Sequence, residues 1–95
     1  MIVGTLKVRL ILRQARSLKE KRQTVLSIKD KLRNSFNVAV AEIEDQDHRQ
    51  SAVLGIVTVG NETHPIKSTL EQIANALRAH PVAEFASCEQ ETIPL

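Results

Sequence analysis

The sequence predicts an α+β domain: one antiparallel sheet of four strands with two helices packed on a single face. Three observations predict it. A length of 95 residues suffices for one core and not for two. Two stretches carry the three-to-four-residue apolar period of a helix, and the stretches around them are β-branched with a partly two-residue period. The resulting order is β-α-β-β-α-β.

Residues 2–13 read as the first strand. Ile2, Leu6, Val8, Leu10 and Leu12 take the even positions and Thr5, Lys7, Arg9 and Arg13 the odd ones, so the even side faces the core and a basic stripe lies on the other side. Ser17 followed by Glu20 is a capping box, in which hydroxyl and carboxylate each accept from an unpaired amide of the first turn. The first helix therefore begins at Leu18. Leu18, Val25, Ile28 and Leu32 share one of its faces, Phe36 closes that face, and Asn34 and Asn37 supply the stop.

FNVAVAEIE, residues 36–44, gives a second strand and EDQDHRQ a turn. SAVLGIVTVG, residues 51–60, is apolar on both faces, as a central strand is. Ile66, Leu70, Ile73 and Leu77 mark the second helix, with Pro65 in its first turn and Pro81 at its exit. Residues 82–93 return as the last strand, its alternation diluted by Glu84, Glu89 and Glu91. Right-handed crossovers then leave a ferredoxin-like βαββαβ sandwich, sheet order 4132, as a single domain over residues 1–95. Its second sheet face has no covering element.

The composition narrows the class of function. An apolar share of 42% and a charged share of 25% are those of a soluble globule. No apolar run reaches the roughly 20 residues of a membrane span, and Lys7 and Arg9 interrupt the N-terminal stretch, unlike a signal peptide. We read the chain as cytoplasmic, without a membrane partner. Its lone Cys88 leaves no internal disulfide.

Catalysis needs a nucleophile, base and orienting group within reach, or a metal with three or four ligands. His64 and His80 stand at opposite ends of the second helix, about 24 Å apart, too far to share an ion. Glu42, Glu44, Asp45 and Asp47 lack the glycine turn of a calcium loop and read as a solvated hairpin tip. No phosphate loop, CxxC or HExxH spacing appears. The expectation is a non-enzymatic protein without catalytic residue, metal or cofactor, and no small-molecule substrate is identified.

The charges are unevenly spread. Residues 1–33 hold ten Lys and Arg against two acids, a balance of +8, while residues 34–95 hold three against nine, a balance of −6. Arg16, Lys19, Lys21 and Arg22 crowd a helix start, where the backbone dipole disfavours cations. Lys19, Arg22, Lys29 and Arg33 recur along one flank of the apolar face over about 21 Å. Together with the free amides of the first turn they form a track for phosphates.

ARSLKEKR (15–22), LRNSFNVAVAEIEDQD (32–47) and LGIVTVGNE (54–62) resemble the YlxP-like family of small bacterial proteins, a domain of unknown function. The resemblance spans nearly the whole chain. It implies the same ferredoxin-like fold, no established activity, and genetic association with transcription and translation factors, some of them ribosome-binding. The family often carries a Trp in the turn after Gln-Asp, where this chain has His48 and Arg49.

The leading expectation is an RNA- or ribosome-associated accessory factor. Arg13, Arg16, Lys19, Arg22, Lys29 and Arg33 would contact the phosphates of structured or ribosomal RNA, and Ser17 and Glu20 would hold the helix cap. A count of two aromatics, Phe36 and Phe85, argues against base stacking on the sheet and for an electrostatic contact. Three plainer readings compete. The cations drape their methylenes over the core rim, or Arg13 and Arg16 pair with Asp45 and Asp47, or the basic strip meets acids of a second copy. The alternative function is a protein-interaction module or homodimer using the uncovered sheet face, with Val3, Ile11 and one side of strand 3 as its apolar area.

Overall fold

The computed structural model describes all 95 residues. Its elements are β1 (Ile2–Ile11), α1 (Leu18–Ser35), β2 (Ala39–Glu44), β3 (Ser51–Gly60), α2 (Thr63–Arg78) and β4 (Glu84–Pro94). The strands form one sheet in the order β2-β3-β1-β4, every pairing antiparallel. Read from the other edge this is 4132, and with both helices on one face it is the ferredoxin-like sandwich.

The alternation of β1 sets the layers. Leu6, Val8 and Leu10 lie opposite Ile56, Leu54 and Ala52 of β3, and all six are at most 1% exposed beneath the helices. The predicted alternation extends through Leu12, also buried, although the ladder ends at Ile11. Val25, Ile28 and Leu32 of α1 and Ile66, Leu70, Ile73 and Leu77 of α2 complete the core. Phe36, half-buried, packs against it at the C-cap of α1. At roughly 1.5–3 kcal/mol for each large apolar side chain removed from water, this cluster supplies most of the driving force for folding.

Two close approaches seat α2 on the sheet. A Cβ on Gly4 would stand 2.5 Å from Ile66 Cγ2, so the lack of a side chain lets α2 settle on β1. Arg78 lies 4.7 Å from the centre of the Phe85 ring and ties the end of α2 to β4.

Both edge strands are irregular. A bulge at Ile43 places Glu42 opposite Leu54 but Glu44 opposite Val53, so two acids two residues apart face opposite sides of the sheet. A second bulge falls between Phe85 and Ser87, which lie opposite Leu10 and Arg9. None of the eleven residues of β4 is buried, which is why its sequence alternates poorly.

Candidate nucleic-acid interface

The candidate site lies at the end of the sheet where β1 passes into α1. Leu12 and Ala15 are buried there, and the Ala15 amide donates to the Leu12 carbonyl at 3.1 Å. Helix α1 starts at Leu18 as the sequence predicts, with the Ser17 hydroxyl accepting from the Glu20 amide at 3.2 Å. The other half of the predicted box differs. Glu20 Oε2 accepts from the Arg16 amide at 2.6 Å rather than from a first-turn amide, because the extended cap residue turns the preceding peptide toward it. The amides of Leu18 and Lys19 have no acceptor within the helix.

Beside this helix start is an open cleft of about 660 Å³ lined by Arg13, Gln14, Ala15, Arg16, Glu20, Arg49 and Gln50. Arg49 and Gln50 come from the β2–β3 turn. The Leu12 amide donates to the Gln50 carbonyl at 2.8 Å, and Gln50 Nε2 donates to the Arg13 carbonyl at 3.1 Å. Three arginines thus converge from two loops around one carboxylate, Glu20.

The six cations expected to contact phosphate fall into distinct groups. Arg13 is bound by both Glu84 oxygens, at 2.7 and 3.4 Å. That contact holds the Glu84 carboxyl below its ordinary value and raises the Arg13 guanidinium. Arg33 donates to the Val40 carbonyl at 2.9 Å and lies 4.0 Å from Asp30, so it leans toward β2. Arg22 is 3.9 Å from Asp47, whose side chain is almost fully exposed. The charged groups of Arg16, Lys19 and Lys29, and of Arg49, have no carboxylate oxygen within 4.0 Å. Arg13 and Arg16 stand together at the cleft, whereas Lys19, Arg22, Lys29 and Arg33 run on along α1 outside it.

The expected pairing of Arg13 and Arg16 with Asp45 and Asp47 is not the one formed. Each carboxylate of the turn region faces a different cation: Glu42 faces Lys21, Glu44 faces Lys7 at 2.7 Å, Asp45 faces Arg9 at 2.6 Å, and Asp47 faces Arg22. The basic stripe on the open sheet face is therefore neutralised. Hydrogen bonds from Ser51 and then Arg9 hold the Asp45 carboxyl below its usual value, and the Glu44 contact raises the Lys7 ammonium. Lys7 and Arg9 reach across β3 to these partners, and Val53 beneath them is only 1% exposed on a face that no helix covers.

Lys21 is the residue whose place the sequence reading missed. Its side chain is fully buried, with Nζ 2.8 Å from Glu42 Oε2 and donating to the carbonyls of Asp45 (2.7 Å), Gln46 (3.1 Å) and Ser51 (3.2 Å). Three protons meet four acceptors, so every ammonium proton has a partner. A signal did exist, since position 21 lies on the apolar stripe between Leu18 and Val25. No comparable signal marks Arg49 and Gln50, which read as ordinary turn residues.

The profile of a family described as "Protein of unknown function (DUF503)" matches residues 3–90. The chain belongs to the DUF503 family. It is also 30% identical over 83 residues to the "Uncharacterized protein YlxP" of Bacillus subtilis (strain 168), a span covering 87% of this chain and 90% of that protein. The matched region contains the whole cleft, the α1 flank and the Lys21 node. The helices of this family member are not long and apolar enough to cross a membrane.

Proposed function

We propose that this DUF503 protein is a non-enzymatic accessory factor that grips the phosphate backbone of structured RNA, ribosomal RNA being the favoured class. The observation that carries the reading is the set of charges left without a carboxylate partner. Arg16, Lys19, Lys29 and Lys31 on the α1 side and Arg49 on the turn are unpaired, and all but Lys29 are exposed. On the open sheet face and under the β2–β3 turn, by contrast, Lys7, Arg9 and Lys21 are each matched with an acid. A surface built only for solubility has no need to sort its charges in this way.

The grip is narrower than the sequence suggests. Arg13 and Arg33 are held by short hydrogen bonds, so Arg16, Lys19, Lys29 and Arg49, with Arg22 in its 3.9 Å contact to the exposed Asp47, are the groups left to meet phosphate, beside the two free amides of the helix start. The genetic association with translation factors that the family resemblance implies points the same way. The test is affinity for duplex RNA and for ribosomal subunits at two salt concentrations. Four or five phosphate contacts give a logarithmic salt slope of about −4, and Arg16→Glu with Lys19→Glu abolishes binding. Absence of binding at low salt, or indifference to that charge reversal, overturns the reading.

A second reading rests on the open sheet face. Ile43, Val57 and Val59 are 45%, 40% and 51% exposed there, and the first two, with Ala39, Ala41 and Gly55, bound a shallow apolar groove. A protein partner or second copy seated on this face makes the chain an interaction module. Sedimentation across protein concentration separates the two, because a strict monomer with salt-sensitive RNA binding leaves self-association without support.

A further inference from the structure

The β2–β3 turn carries neither glycine nor proline between Asp45 and Gln50, and a free loop of that composition samples many conformers. Here three elements hold it. Lys21 reaches it from α1, Arg9 from β1, and Leu12 and Arg13 from the β1–α1 junction. Asp45 sits at φ 60°, a left-handed conformation that persists only where the surroundings impose it.

We propose that Lys21 is the positioning residue of the phosphate cleft. This rests on the phosphate-binding reading and goes beyond it, since Lys21 is fully buried and cannot touch a ligand. Its ammonium gathers the carbonyls of Asp45, Gln46 and Ser51 onto the charge of Glu42. The turn is thereby fixed with Arg49 and Gln50 at the cleft before RNA arrives. Ordering that would otherwise fall on the binding step is completed during folding, so the bound state is reached with less loss of entropy. The cation at the helix start is thus accounted for by the turn it holds.

The experiment is a double-mutant cycle on duplex-RNA affinity with Lys21→Met and Arg49→Gln. Each single change weakens binding about tenfold and lowers the magnitude of the salt slope by about one, the loss of one phosphate contact. The double variant binds no more weakly than Lys21→Met alone. General destabilisation would reduce the active fraction without changing the slope, so an unchanged slope in Lys21→Met, or additive losses, overturns the proposal. Hydrogen exchange on the wild-type protein decides the matter even where Lys21→Met does not fold. The Leu12 and His48 amides, bonded to the Gln50 and Asp45 carbonyls, are expected to exchange only near global unfolding, and exchange at free-loop rates overturns the latch. No RNA binding by the wild type removes the functional reading and the cleft's role with it. Protected turn amides with additive binding losses remove only the role of Lys21.

Discussion

Truncating Glu42 to alanine isolates the electrostatic half of the buried node. Lys21 Nζ has a carboxylate at 2.8 Å and three carbonyls between 2.7 and 3.2 Å. After Glu42→Ala the three carbonyls still match the three ammonium protons, so few hydrogen bonds are lost. What is lost is the countercharge. Removing one member of a buried ion pair costs about 3–5 kcal/mol, and the 14% exposure of the Glu42 side chain, which admits water to the vacated space, favours the lower end, about 3 kcal/mol. A domain of this length has a total stability of about 5–14 kcal/mol. The loss is therefore a large fraction of the whole, and corresponds to a fall in Tm of about 12–24 °C. Urea unfolding followed by circular dichroism measures it, with the control variant Lys21→Met plus Glu42→Leu. That pair removes both charges and is expected to recover at least half of the loss. A cost below about 1 kcal/mol for Glu42→Ala, or a control as unstable as the single variant, refutes the argument that an uncompensated buried charge dominates the node.

Three further predictions follow from the geometry. His80 Nδ1 accepts from the Val82 and Ala83 amides at 3.2 and 3.0 Å, and burial, with Lys31 nearby, pushes its pKa below the ordinary 6.5. The folded state therefore binds this proton less readily than the unfolded one, so stability is full above about pH 6.5 and is lost as pH falls through the depressed value; an NMR titration midpoint at or above 6.5 contradicts it. Gly4→Ala drives a methyl to 2.5 Å from Ile66 Cγ2 and is expected to cost about 1–3 kcal/mol by overpacking, read in the same unfolding assay; a neutral effect would mean that α2 shifts freely on β1. Glu20→Gln keeps an acceptor for the Arg16 amide while removing the sole carboxylate lining the cleft. Duplex-RNA binding should strengthen severalfold at low salt and converge with wild type at high salt, and a weaker complex would place the RNA elsewhere.

Side-chain facing was legible in the sequence because it depends on local period alone. The even positions of β1, the 4-3-4 spacing of α2 and the Ser17 cap each specify a face or boundary without reference to distant residues, and all three are found in the structure. Pairing was not legible. The bulge at Ile43 turns Glu42 toward Lys21 and Glu44 toward Lys7, and nothing in AEIEDQD marks where that extra residue enters the ladder. The sequence distinguishes the ten cations of the first 33 residues only by position. Lys7, Arg9, Lys21 and Arg22 are taken up by a hairpin 20 or more residues later, and Arg13 by Glu84 of the last strand. Lys21 shows the limit most clearly, because its heptad position announces burial while its four acceptors all lie beyond residue 41.

The eleven-residue strand β4 ends the sheet with no neighbour on its outer side and no buried residue. A flat ladder of that length invites another chain to dock alongside it. Glu84, Glu89 and Glu91, the interruption near Ala86 and the terminal Pro94 work against such docking through like-charge repulsion and broken register. Exchange of Glu89 and Glu91 for glutamine is expected to leave the fold intact yet make concentrated solutions prone to fibrous assembly, so the glutamates that obscure the strand in the sequence also guard its open edge.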